Sequence, residues 1–175
     1  MSIRRICAIF VLFITPVATM ASEKNGFFVI AEAGTTEMKA PTTTTYTISS
    51  NSYNFGAGYE VDSLSAEFTY GSGFKLSSTI GSSSETLELT NWTLALNYKI
   101  LNSGNFRPYI GVGRYGGSVN ITGYASQEYS RNLWNLGIEI PLDNTTSIRA
   151  KYLKTFDVSG YTGFTTYSLG LLYRF

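Results

Sequence analysis

The sequence predicts an all-β fold: an eight-stranded antiparallel up-and-down β-barrel that crosses a membrane. Three observations predict it. Segments along the whole chain alternate apolar and polar residues with a period of two, the bulky residues of each segment gather on one face, and the connections between segments alternate long and short.

The chain opens with "MSIRRICAIFVLFITPVATMAS", in which Arg4 and Arg5 precede an apolar run from Ile6 to about Ala18 and small residues around Thr19 and Ala21. This layout predicts a secretory signal peptide over 1–21, cut after Ala21, and a barrel domain over 22–175. The run is shorter than the roughly 20 residues a spanning helix needs, and no later stretch approaches that length.

The first strand is expected at about 26–35, where Phe27, Val29, Ala31 and Ala33 oppose Phe28, Ile30, Glu32 and Gly34. In 53–61, Tyr53, Phe55, Ala57, Tyr59 and Val61 oppose Asn54, Gly56, Gly58 and Glu60; in 64–70, Leu64, Ala66, Phe68 and Tyr70 oppose Ser65, Glu67 and Thr69. The fourth, 91–100, sets Trp92, Leu94, Leu96, Tyr98 and Ile100 against Asn91, Thr93, Ala95, Asn97 and Lys99. A fifth lies at 106–115, with Ile110 and Val112 on one face and Gly111 and Gly113 on the other. In 134–140, Trp134, Leu136, Ile138 and Ile140 oppose Asn135, Gly137 and Glu139; in 147–152, Ile148, Ala150 and Tyr152 oppose Ser147, Arg149 and Lys151. The last, "FTTYSLGLLYRF", sets Tyr167, Leu169, Leu171, Tyr173 and Phe175 against Ser168, Gly170, Leu172 and Arg174.

The two faces fix which side points outward. Eight strands enclose an interior just wide enough for ordinary side chains, so Gly, Ser, Thr, Asn and the charges fit inside while the Trp, Tyr and aliphatic face meets lipid. Tyr59, Tyr98, Tyr152 and Tyr173 then read as interfacial girdle residues. Long connections are expected at about 36–51, 72–84 and 116–128, a medium one at about 156–163, and short ones at 62–63, 101–105 and 142–144. With an even strand number, both chain ends and the short turns share the periplasmic side.

Composition removes most other chemistry. The chain has no histidine, and its one cysteine, Cys7, lies in the expected signal peptide. His-dependent catalysis, disulfides and Cys or His metal ligation are thereby excluded from the mature chain, and no cofactor is expected. Without Arg4 and Arg5 the basic residues number 11 against 12 acidic ones, so bulk charge recruits no nucleic acid. Gly111, Gly113 and Gly116 spell the G-x-G-x-x-G spacing of dinucleotide sites, but "SVNITGYASQEYSRNLW" follows where a helix would have to begin. These glycines belong to a strand, where they make room for opposing side chains. The sequons "NWT", "NIT" and "NTT" are chance occurrences in Thr-rich strands.

The signal peptide, the eight alternating strands, the "PYIGVG" strand and the ending "LGLLYRF" resemble the small outer-membrane β-barrel family that includes the opacity proteins and the OmpA- and OmpX-type barrels. The resemblance implies a multi-pass protein of the bacterial outer membrane, surrounded by outer-membrane lipid and lipopolysaccharide and monomeric. It also implies that Tyr173 and Phe175 act as the signal read by the barrel assembly machinery. Small barrel enzymes of that membrane resemble one another in using a histidine near the outer rim, so a non-enzymatic protein is expected here.

Inside the barrel, Glu32, Glu60, Glu67 and Glu139 are expected to pair with Lys99, Arg107, Arg149, Lys151 and Arg174 in a structural network that fills the lumen. The Ser/Thr-rich segments "TTEMKAPTTTTYTISSNS" and "SGFKLSSTIGSSSE" read as solvated loops, with Tyr46, Phe74, Tyr124, Phe156 and Tyr161 as apolar contact points for an external ligand. The function expected is therefore a surface barrel serving envelope structure and adhesion or host-surface contact. The alternative is a narrow ion or small-solute channel.

Overall fold

The computed structural model describes residues 25–40, 46–80, 83–121, 126–156 and 163–175. The expected signal peptide over 1–21, and with it Cys7, lies outside them. Alternating residues in eight segments pair into strands β1 (Gly26–Ala40), β2 (Tyr46–Val61), β3 (Leu64–Ile80), β4 (Ser83–Lys99), β5 (Arg107–Ile121), β6 (Gln127–Pro141), β7 (Thr146–Thr155) and β8 (Phe164–Arg174). Each is antiparallel to its chain neighbours, and β8 returns to β1 to close the barrel.

The register sets the tilt. Following partnered residues from Tyr59 through Ala66, Leu96, Val112, Trp134, Lys154, Thr165 and Glu37 returns to β2 at Ser49, ten positions from the start. A stagger of that size on eight strands tilts each by about 40° to the barrel axis. The exterior is an apolar band that includes Phe55, Phe68, Leu94, Leu96, Ile110, Val112, Leu169 and Leu171, all exposed. Tyr53 and Tyr59, Trp92 and Tyr98, Tyr167 and Tyr173 each stand six positions apart on one strand, about 20 Å at roughly 3.4 Å per residue. They mark two girdles, and Tyr152 joins the one away from the chain ends, its ring 5.3 Å from Trp134 and 5.2 Å from Tyr167.

At the opposite end the short turns are tied by side chains. Asp62 takes a left-handed φ of 54°, which short polar residues tolerate; its N–H donates to Asn25 Oδ1 and its carbonyl accepts from Asn102 Nδ2. In the last turn, Asp143 accepts from the N–H groups of Thr145 and Thr146 and from the Thr145 hydroxyl. Those bonds hold this fully exposed carboxyl at about 2.

Three expected loops are corrected by the pairing. Described residues within 36–51 and 72–84 are strand, as are 116–121 and 127–128 of the loop expected at 116–128: β1 and β2 stay paired out to Ala40 and Tyr46, β3 and β4 out to Ile80 and Ser83, and β5 and β6 out to Val119 and Gln127. Thr and Ser on a hydrogen-bonded ladder read as loop in composition, but a hairpin beyond the membrane needs no apolar face. Pairing of β2 with β3 stops at Asn54 and Gly71, and β3 shifts register between Gly71 and Phe74. On the other side β4 stays paired with β5 out to Leu87, and beyond Leu76 and Leu87 the β3–β4 hairpin projects from the barrel wall as a ribbon. Phe156 is exposed at the end of β7. Tyr124 and Tyr161, and the side chains of Tyr46 and Phe74, fall outside the described residues.

Candidate functional site: the luminal core

Strand parity sends one charged residue after another inward, and the closed wall removes them from water. Glu32, Glu60, Glu67, Lys99, Glu139, Arg149 and Lys151 are all buried. They connect as one alternating chain of charge. Glu32 lies 2.6 Å from Lys151, which lies 3.2 Å from Glu67. Glu67 is clamped by Arg149, whose guanidinium also lies 3.7 Å from Glu139. Glu139 in turn faces Arg174 at 2.7 Å, Lys99 at 3.5 Å and Arg107 at 3.6 Å, and Glu60 closes the chain at 2.6 Å from Lys99 and 3.2 Å from Arg174.

Isolated charges could not sit here. Moving one into a medium of low dielectric costs several kcal/mol, which opposite charges at these distances offset only when each is paired and hydrogen-bonded. Glu139, with no exposed surface, faces four bases; Arg107, at the mouth, keeps a quarter of its side chain exposed. Glu60 and Glu67, adjacent in the wall, go to different bases and do not form a carboxylate pair of the kind acid catalysis uses.

Two apolar clusters that the sequence reading did not identify complete the filling. Phe28, Ile30 and Leu172 pack together near the chain ends. Leu89, Tyr115, Leu133, Leu153 and Phe164 form a second cluster towards the projecting hairpins, with Tyr129 against it and its ring 5.1 Å from Phe164. The expected strands 134–140 and 147–152 stop one residue short of Leu133 and Leu153; extending the same parity by one step places both inside. Arg149 stacks over the Tyr109 ring at 5.0 Å and over Phe28 at 5.7 Å, so the cluster near the chain ends packs directly against the charges.

The glycine motif serves this filling. Gly111 lies between the amides of Asn97 and Asn135, and a Cβ there would collide with both. Among the described residues no group of three or more side chains has the composition of a metal site. Tyr173 and Phe175, the expected assembly signal, meet edge to face outside the barrel at 5.3 Å, and the Phe175 N–H donates to the Phe27 carbonyl at 3.0 Å.

Residues 6–175 match the family described as outer membrane protein beta-barrel domain. The chain belongs to that family. No curated protein matches it by sequence. Among solved structures, Neisserial surface protein A is similar with a TM-score of 0.61 at 15% identity, covering 85% of this chain and 97% of that one. The N-terminal barrel domain of Pseudomonas aeruginosa OprF gives 0.57 at 17% identity over 85% and 97%. Ail of Yersinia pestis, solved with the heparin analogue sucrose octasulfate, gives 0.57 at 13% identity over 85% and 99%. At these identities the likeness is one of fold: a family member built as a small closed barrel of the outer membrane.

Proposed function

We propose that this family member is a non-enzymatic, non-conducting anchor in the bacterial outer membrane that holds projecting hairpins at the cell surface for adhesion or host-surface contact. The observation that carries the reading is what occupies the interior: an ion-pair chain from Glu32 to Glu60 with an apolar cluster towards each end. A barrel filled in this way offers no lumen for a solute, which leaves its outward ribbons as the surface for function. In this reading residues 1–21 direct export, and Tyr173 and Phe175 present the chain to the barrel assembly machinery.

The experiment replaces residues 77–86 of the β3–β4 ribbon with a two-residue turn and compares attachment of expressing cells to host-cell monolayers. Attachment is expected to fall to the level of cells without the protein while the boiling-dependent mobility of the barrel is retained. Unchanged attachment by the trimmed barrel contradicts the reading. The second reading, a narrow channel, draws on one observation: Asn97 Oδ1, Tyr109 OH, Asn135 Oδ1 and Ser168 Oγ are buried polar atoms without a protein partner. Such atoms can line a hydrated path.

A further inference from the structure

Two inward aromatic rings lean across the ladder onto glycines. Phe28 of β1 is partnered with Gly58 of β2, and Tyr109 of β5 with Gly137 of β6, each on the third rung from the chain-end side of its hairpin. A Cβ on Gly58 would strike the tip of the Phe28 ring, and one on Gly137 the tip of the Tyr109 ring. Each glycine is therefore a seat: with no side chain of its own, it lets the neighbouring strand's ring lie over the backbone instead of standing into the lumen. Both hairpins are joined at their other end, beyond Ala40 and Tyr46 and beyond Ile121 and Gln127. The seated rings thus fasten β1 to β2 and β5 to β6 where no turn joins them.

The two rings also share a cation. The guanidinium carbon of Arg149, on β7, lies 5.0 Å from the centre of the Tyr109 ring and 5.7 Å from that of Phe28, and Arg149 is buried. The attraction of a guanidinium for a ring face is strongest when both are out of water. The same guanidinium reaches Glu67 and Glu139. β1 is a neighbour of β7 only through β8, so Phe28 cannot meet Arg149 until β8 has paired with both. The seats are contacts within one hairpin. The shared cation is a contact across the closing wall, and the entropy of closing that loop must be met before it forms.

We propose that Phe28, Tyr109 and Arg149 form a closure latch, with Phe28 and Tyr109 as its positioning residues. Each hairpin seats its ring on its own glycine while it forms. When β8 joins β1 to β7, Arg149 comes onto both rings at once, and the rings aim its guanidinium at Glu67. The latch belongs to the wall of the barrel and stands whatever the hairpins bind and whether or not the lumen conducts. It implies a division of kinetic roles: loss of the latch contact speeds unfolding, and loss of a seat slows folding.

The test measures folding and unfolding rates of the purified protein in detergent micelles after urea jumps, by the fluorescence of Trp92 and Trp134 and by mobility without boiling. Arg149→Lys keeps the charge and gives up the planar face; it is expected to unfold about tenfold faster and to fold at the wild-type rate. Phe28→Leu and Tyr109→Leu are expected to fold severalfold more slowly and also to unfold faster. When either is combined with Arg149→Lys, the effect on unfolding is expected to fall short of the product of the single effects, because both remove the same contact. Leu172→Ala, which packs in the cluster of Phe28 but offers no ring, is expected to multiply with Arg149→Lys instead. If the ring variants also multiply with Arg149→Lys, the rings only pack and the latch is overturned. Slower folding of Arg149→Lys overturns it too, because the cation would then be in place before closure. Wild-type folding rates in both ring variants overturn the seats. Should Arg149→Lys not fold, Phe28→Leu and Tyr109→Leu are combined with each other, and effects on unfolding that multiply overturn the latch.

Discussion

Glu67 and Arg149 reach each other across the lumen from β3 and β7, strands on opposite sides of the eight-stranded ring, and both are almost wholly buried where they meet. The contact spans 82 positions of sequence, so it forms only when the barrel closes. It is the central link of the chain of charge.

Removing one partner is expected to be worse than replacing both. Glu67→Ala leaves Arg149 and Lys151 to share Glu32 and Glu139, and is expected to destabilise the barrel by about 3–5 kcal/mol. Glu67→Gln with Arg149→Met is expected to recover more than half of that loss. Urea unfolding in detergent micelles measures both, and a double variant no more stable than Glu67→Ala contradicts the pairing.

The glycine motif gives a graded expectation. At Gly113 a Cβ would strike the backbone of β4, including Ala95 Cα at 2.8 Å, whereas at Gly111 it would strike the amide ends of Asn97 and Asn135. Side-chain amides can swing and a paired strand cannot, so Gly113→Ala is expected to cost about 2–3 kcal/mol and Gly111→Ala less. Equal losses on the same unfolding assay would argue that the lumen yields as stiffly as the wall.

The wall was legible in the sequence and the filling only in part. Alternation at Trp92 to Tyr98 and Tyr167 to Leu171 is strict because lipid accepts nothing polar on one side and the narrow lumen accepts little bulk on the other. Inward polarity is looser: Phe28, Leu133, Leu153 and Phe164 fill the same face as Arg149 because the interior demands volume as well as charge balance. Which base meets which acid depends on the ten-position stagger, and that emerges only when the ring closes. The projecting ribbons were hidden because Ser and Thr carry no period once neither face is buried.

Phe175→Ala separates assembly from stability. The backbone bond to Phe27 is kept and the edge-to-face contact with Tyr173 is lost. The amount reaching the outer membrane is expected to fall severalfold while unfolding in micelles shifts by less than about 1 kcal/mol. A large loss of stability with normal outer-membrane levels would assign the ring a packing role instead.

Asp143 supplies a pH dependence confined to one turn. Its folded value, about 2, lies below the ordinary 3.8, so its contribution is complete above the ordinary value and is lost as the pH falls towards 2. The carboxyl resonance of Asp143 is expected to titrate with a midpoint near 2, and Asp143→Ala to remove that dependence from the turn. A midpoint at the ordinary value would mean that the bonds from Thr145 and Thr146 do not persist in solution.

The most direct measurement of the closed lumen is single-channel conductance of the purified barrel in planar bilayers, wild type beside Glu67→Ala. The filled interior predicts no steady conductance from the wild type, and brief openings only when the Glu67 link is cut. Large, steady conductance from the wild-type protein would contradict the account and make the lumen a path for ions.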